Sequence, residues 1–195
     1  MAALGPPFLF KGTAGGTKGT HPVLPGFTGE YQQRVDGKGR MSIPAEFRRV
    51  LEEGDAEARD QSRNPSVYVQ YGPHLQGKRL NAMTVDAFAA ISQAIMAIRP
   101  RTPEERDRKT RAQYAVLSQT VRLEVDRDGR VVLPIAQREK MGLTEGEVVF
   151  AGIGDSFEIW PAAVYDAEVR APLATQLADL GPGYDPMTDI WQLTG

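Results

Sequence analysis

The chain has 195 residues, 41% of them hydrophobic, no cysteine and a formal net charge of −2, a balance that suits one soluble domain or two small ones with a real core. Lacking cysteine, it has no disulfide, thiolate nucleophile or cysteine-based metal site, and it suits a reducing compartment. No stretch approaches the roughly 18 apolar residues of a membrane helix, and the N-terminus lacks a secretory signal pattern; the expectation is a cytoplasmic protein with no membrane contact.

Residues 1–26 are rich in glycine and proline and carry too little apolar surface to fold alone, which predicts a flexible N-terminal arm. Its Gly15-Gly16-Thr17-Lys18 run misses the spacing of a phosphate loop and follows no strand. Tyr31 to Val35 and Arg40 to Ile43 flank Asp36-Gly37-Lys38-Gly39 as a β-hairpin, with Asp-Gly where the chain needs positive φ. Pro44 then opens a helix as its first residue, where a missing N–H costs nothing. Asp55 to Asn64 reads as a polar loop insertion, Val67 to Tyr71 as a β-branched and aromatic strand, and Val85 to Ile98 as a helix of apolar periodicity. Glu104 to Leu117, behind Pro100 and Pro103, predicts a charged helix linking two halves.

The second half opens with a copy of the first. Val125 to Arg138 lies 90 positions after Val35 to Arg48, and Val, Asp, Gly, Arg, Pro and the last Arg coincide, six identities in 14 positions where unrelated segments share about one. Pro134 stands where Pro44 stands. Val148 to Ala151 and Phe157 to Trp160 bracket Gly152 to Ser156 as a hairpin, followed by Pro161 and a helix. Both halves therefore read β-β-α-β-β-α. The organisation is an arm over 1–26, repeats over 27–99 and 119–180, a linking helix over 100–118 and an acidic tail over 181–195.

Charge is unevenly placed along this plan: residues 1–140 carry 22 Lys and Arg against 16 Asp and Glu, net +6, whereas 141–195 carry one Arg against nine acids, net −8. Distribution matters more than the total for a polyanionic partner. In each D-x-x-x-R turn, Asp36 or Asp126 is expected to be structural, accepting backbone N–H groups or pairing with the arginine. Two readings of the arginines stay open: solvated hairpin ends, or guanidinium groups presented to DNA on a two-stranded ribbon that fits the major groove. Lys38, Arg40, Arg127 and Arg130 are the candidate DNA-binding residues. The first turn should be the stronger, because Tyr31 to Arg49 nets +3 with Arg34, Arg48 and Arg49, while Thr120 to Lys140 nets +1.

Phe27-x-Gly-Glu-Tyr31, Asp36-x-Lys-Gly-Arg-x-Ser-Ile-Pro44, Asp126-x-x-Gly-Arg130 with Pro134, and Gly154-Asp-x-Phe-Glu-Ile-Trp160 resemble, in that order, the MraZ family of transcriptional regulators over residues 27–165. The resemblance implies an α+β fold with an AbrB-like swapped-hairpin β core. It further implies a ring-shaped, nucleoid-associated homo-oligomer that binds short direct repeats upstream of a division and cell-wall gene cluster. The family's arginine maps to Arg40 and Arg130 and its lysine to Lys38, where the second copy has Asp128 instead. A swapped-hairpin protein-interaction or antitoxin-like module is the alternative. Catalysis is not expected, since His21 and His74 sit in no catalytic setting and two histidines without cysteine make a poor zinc site; no cofactor or metal is implied.

Overall fold

The computed structural model describes residues 26–194. The arm expected over 1–26, with His21, lies outside the described residues except for Gly26. The first half contains β1 (Glu30–Val35), β2 (Arg40–Ser42), α1 (Ala45–Glu53), α2 (Ala56–Asp60), β3 (Ser66–Gln70), β4 (Leu80–Met83) and α3 (Val85–Ala97). Next, α4 (Pro103–Ala112), prolonged by a π turn over Gln113–Leu117, leads to the second half. There β5 (Thr120–Glu124), β6 (Arg130–Val132), α5 (Ile135–Lys140), β7 (Gly146–Gly152) and β8 (Ser156–Pro161) repeat the order. A helical run follows from α6 (Ala162–Tyr165) through a π segment (Asp166–Arg170) into α7 (Ala171–Leu180), and α8 (Pro186–Thr194) lies within the acidic segment.

The α+β fold expected from the sequence is present, with α2 added to the β-β-α-β-β-α plan. Six antiparallel strands form one sheet in the order β1-β7-β8-β4-β3-β5, and β2 and β6 form a separate two-stranded ribbon. The expected hairpin of the first repeat closes only at its turn, where Asp36 N–H donates to the Arg40 carbonyl at 3.0 Å and Gly39 N–H to the Asp36 carbonyl at 2.8 Å. Its strands then part. β1 pairs with β7, Tyr31 opposite Phe150, and β2 pairs with β6, Met41 opposite Val131. Exchange across the halves places Val35, Met41 and Ile43 in one core with Val125, Val131 and Leu133, all buried. Neither half alone offers enough apolar surface to bury both faces of such short strands.

At the centre of this core Phe47 of α1 meets Phe27 at 5.3 Å, Tyr31 at 5.1 Å and Phe157 at 4.9 Å between ring centroids. Phe27 is held by backbone bonds in both directions with Gly154, in the β7–β8 turn. That turn joins the hairpin read from the sequence, with Phe150 opposite Ile159. Trp160 is buried, stacks edge-on with Tyr165 and donates Nε1–H to Glu158 at 2.8 Å. Tyr165 in turn donates to Glu30 on β1 at 2.6 Å, beside Arg170, and thereby ties the C-terminal helical run to the sheet. Burial, then the Glu30 carboxylate, pushes the Tyr165 hydroxyl up to about 12.

Two local expectations are corrected. Pro44 and Pro134 are helix N-caps rather than first helical residues: their ψ values of 141° and 150° are extended, and their carbonyls accept the first helical bonds, from Arg48 and Arg138. The Asp55 to Asn64 insertion is not simply a loop. Asp55 caps α2 by accepting from Ala58 N–H at 3.1 Å, and its other oxygen accepts from Ser66 N–H at 3.0 Å. The sequence Ala-Glu-Ala-Arg-Asp behind an aspartate carries a helix start whose polarity masks it as loop.

Candidate nucleic-acid interface

The two D-x-x-x-R turns have the same chemistry. Asp36 Oδ1 accepts from the backbone of Lys38 and of Arg40, both at 2.9 Å, and its Oδ2 accepts from Arg40 Nε at 2.7 Å. Asp126 Oδ1 accepts from Asp128 N–H at 2.9 Å and Arg130 N–H at 2.8 Å, and its Oδ2 from Arg130 Nε at 3.1 Å. These backbone bonds, then the arginine, hold both carboxyls below the usual aspartate range, so each turn stays ionised and closed at neutral pH. Gly39 and Gly129 supply the left-handed residue, with φ of +84° and +77°. Asp36 and Asp126 each accept two backbone N–H groups within their turns.

The turns are joined by the β2·β6 ribbon, in which Arg40 lies opposite Val132 and Ser42 opposite Arg130. Met41 and Val131 point into the core, so alternation turns Arg40, Ser42, Arg130 and Val132 to the other face. Both ends are fastened across the pseudo-symmetry, Ile43 N–H to the Gly129 carbonyl and Leu133 N–H to the Gly39 carbonyl. Arg40 and Arg130 therefore stand at opposite ends of one outward face of a twisted ribbon. Each uses Nε on its aspartate, which orients the guanidinium. Arg40 side-chain exposure is 51%, and among the described residues its salt-bridge partner is Asp36. Arg130 also pairs with Asp128, and these carboxylates, Asp126 first, raise its pKa. The second turn is therefore the less cationic, as its composition implies. Lys38 and Arg127 are exposed on their turns.

Arg48 and Arg138, identical in the repeat, do something composition did not reveal. Arg138 is 5% exposed and reaches the opposite repeat's turn, donating to the carbonyls of Leu133, Gly37 and Thr144. Half-buried Arg48 lies against Gly129 so closely that a Cβ there would meet its Nη1 at 2.2 Å. Each repeat thus props the other's turn from beneath with its last arginine. Recurrence of that arginine was the only signal in the sequence. Arg48 belongs to this support rather than to the outward cationic face.

No group of His, Asp and Glu among the described residues could hold a metal ion, and no described helix is long and apolar enough to cross a membrane. Residues 27–58 and 116–176 match a family model described as "MraZ protein" and as "antitoxin-like". A relative from Ruegeria pomeroyi named Transcriptional regulator MraZ is 40% identical over 161 residues, 83% of this chain and 92% of the relative. One of the same name from Cereibacter sphaeroides is 36% identical over 177 residues, 87% of this chain and 97% of that protein. Another from Gluconacetobacter diazotrophicus is 37% identical over 138 residues, covering 70% and 80%.

Proposed function

The chain belongs to the MraZ family, and from that premise we propose that it is a DNA-binding transcriptional regulator reading short direct repeats in the promoter of a division and cell-wall gene cluster. The observation that carries this reading is the ribbon face on which Arg40 and Arg130 are held outward by their own aspartates. A two-stranded ribbon enters the major groove, and a guanidinium there can bond guanine O6 and N7 while neighbouring cations meet phosphate. Arg40 and Lys38 make the stronger half of the contact; Arg127 and Arg130 make the weaker, with Asp128 beside them. The working form is a homo-oligomer, a ring, whose many ribbons gain avidity on repeated sites. It works in the cytoplasm at the nucleoid, without cofactor and without catalysis.

A protein-binding or antitoxin-like module is the second reading, favoured by the exposure of Val132 (56%) and Ile135 (57%) near the same face. Titration against a duplex with several short direct repeats and against a scrambled duplex, at two salt concentrations, separates the two. Preferential, salt-sensitive binding is the expected result. Arg40→Ala should weaken repeat binding roughly tenfold or more, since one bidentate arginine contact carries about 1–3 kcal/mol of discrimination, with the oligomer mass by light scattering unchanged. Loss of the oligomer, or binding to neither duplex, would move the assignment to a protein partner.

A further inference from the structure

The second turn carries Asp128 where the first carries Lys38 and is by its own residues the less cationic, but the fold brings further cations beside it. The insertion between α1 and β3 runs beside it. Arg63 and Asn64 from that insertion, Ser66 and Glu124, which face each other in the β3·β5 ladder, and Arg122 and Arg127 line an open cleft of about 480 Å³ with polar and charged groups. Three guanidinium groups meet there against one lining carboxylate, and that carboxylate, Glu124, is engaged by Asn64 Nδ2 at 2.9 Å. Arg122 is oriented from behind, with its guanidinium 6.0 Å from the Tyr68 ring and 3.7 Å from the buried Asp55 carboxylate. Arg63 is steadied by Glu57 at 2.9 Å and keeps 50% of its side chain exposed. Arg127 stands on the turn itself, three residues from Arg130.

Among the described residues the second half carries no such insertion to lie beside the first turn. In the place of the insertion the second half has the short α5–β7 connection, which brings Glu145 against Gly37. Arg63 also lies in the stretch between residues 58 and 116 that the family model does not span. We propose that this cleft is a phosphate-binding site, and that its ligand is the DNA backbone flanking the groove occupied by the ribbon. The insertion supplies the second turn with the phosphate contacts that Asp128 denies it. Guanidinium forks suit phosphate oxygens in pairs, and an open polar cleft admits a phosphodiester.

This rests on the DNA-binding reading above, and the test separates the two. A mixed-sequence duplex is the probe, because phosphate contacts do not depend on sequence. Wild type, Arg63→Ala, Arg63→Glu and a charge-matched control on the linking helix, Arg106→Ala, are titrated across a salt series by fluorescence anisotropy. Circular dichroism and light scattering confirm fold and mass. Arg63→Ala should make the slope of log affinity against log salt shallower by about 0.9, the value of one phosphate contact, and Arg63→Glu should weaken binding further. The repeat-bearing and scrambled duplexes should lose affinity by the same factor, with Arg106→Ala like wild type. Unchanged slope and affinity in both Arg63 variants, while Arg40→Ala still impairs binding, overturns the cleft and leaves the regulator standing. If wild type binds neither duplex, the regulator reading itself falls. Calorimetry with inorganic pyrophosphate tests the other source of phosphate: Arg63-dependent binding of pyrophosphate with an unchanged DNA salt slope overturns the backbone assignment in favour of a small phosphorylated ligand.

Discussion

Gly39 accepts two demands at once. Its φ of +84° closes the first turn, and a Cβ there would stand 2.3 Å from the Leu133 carbonyl oxygen and 2.9 Å from Arg138 Nε. Gly39→Ala is expected to cost about 1–3 kcal/mol for the backbone conformation alone and more for the clash with the crossing strand. Gly142, at φ +68° with nothing within 4 Å, isolates the conformational part. Urea unfolding of Gly39→Ala and Gly142→Ala should give the first the clearly larger loss, and equal losses would show that the turn is not pressed against its partner strand. At this scale the sequence was readable wherever one side chain serves its own neighbours: both aspartates bond the residues two and four positions on. It was unreadable where a side chain crosses the pseudo-symmetry. Arg48 counted as surface charge because nothing local distinguishes it from Arg40.

Helix α2 depends on a single buried carboxylate. Asp55 satisfies Ala58 at the start of α2 and Ser66 at the start of β3, so one residue fixes both the helix and its return to the sheet. Asp55→Ala should destabilise the protein by about 1–2 kcal/mol, the usual worth of a lost N-cap, with a further penalty for the unpaired Ser66 N–H; chemical denaturation measures it. A loss under half a kcal/mol in size, on the order of a surface change, would mean that α2 contributes little to the fold. The extended ψ of Pro44 and Pro134 shows the same economy, since a proline that ends a strand can offer its carbonyl to the following helix without ever entering it. The β7–β8 hairpin was legible because both its strands are long and their turn is short. The β1–β2 unit showed only its turn, because three-residue β2 cannot hold a ladder against its own neighbour.

Across the whole molecule, strands of one half pair with strands of the other: β1 on β7, β2 on β6, β4 on β8 and β3 on β5. A fragment covering residues 27–118 therefore leaves β1 and β2 without partners and half of the core without its opposing face. It is expected to show no cooperative thermal transition, whereas the full chain melts in one step; a fragment that unfolds cooperatively by calorimetry would refute the interdependence of the halves. Turn chemistry, helix periodicity, the long hairpin and the place of Arg40 and Arg130 beside their aspartates were written in the order of residues, because each depends on contacts within a few positions. The tertiary structure alone decided which strand edges meet, that Arg138 and Arg48 cross beneath each other's turns, and that an insertion comes to rest beside Arg127. A strand edge offers the same N–H and C=O groups to any partner, and only the burial of both repeats' apolar faces in one core selects among them.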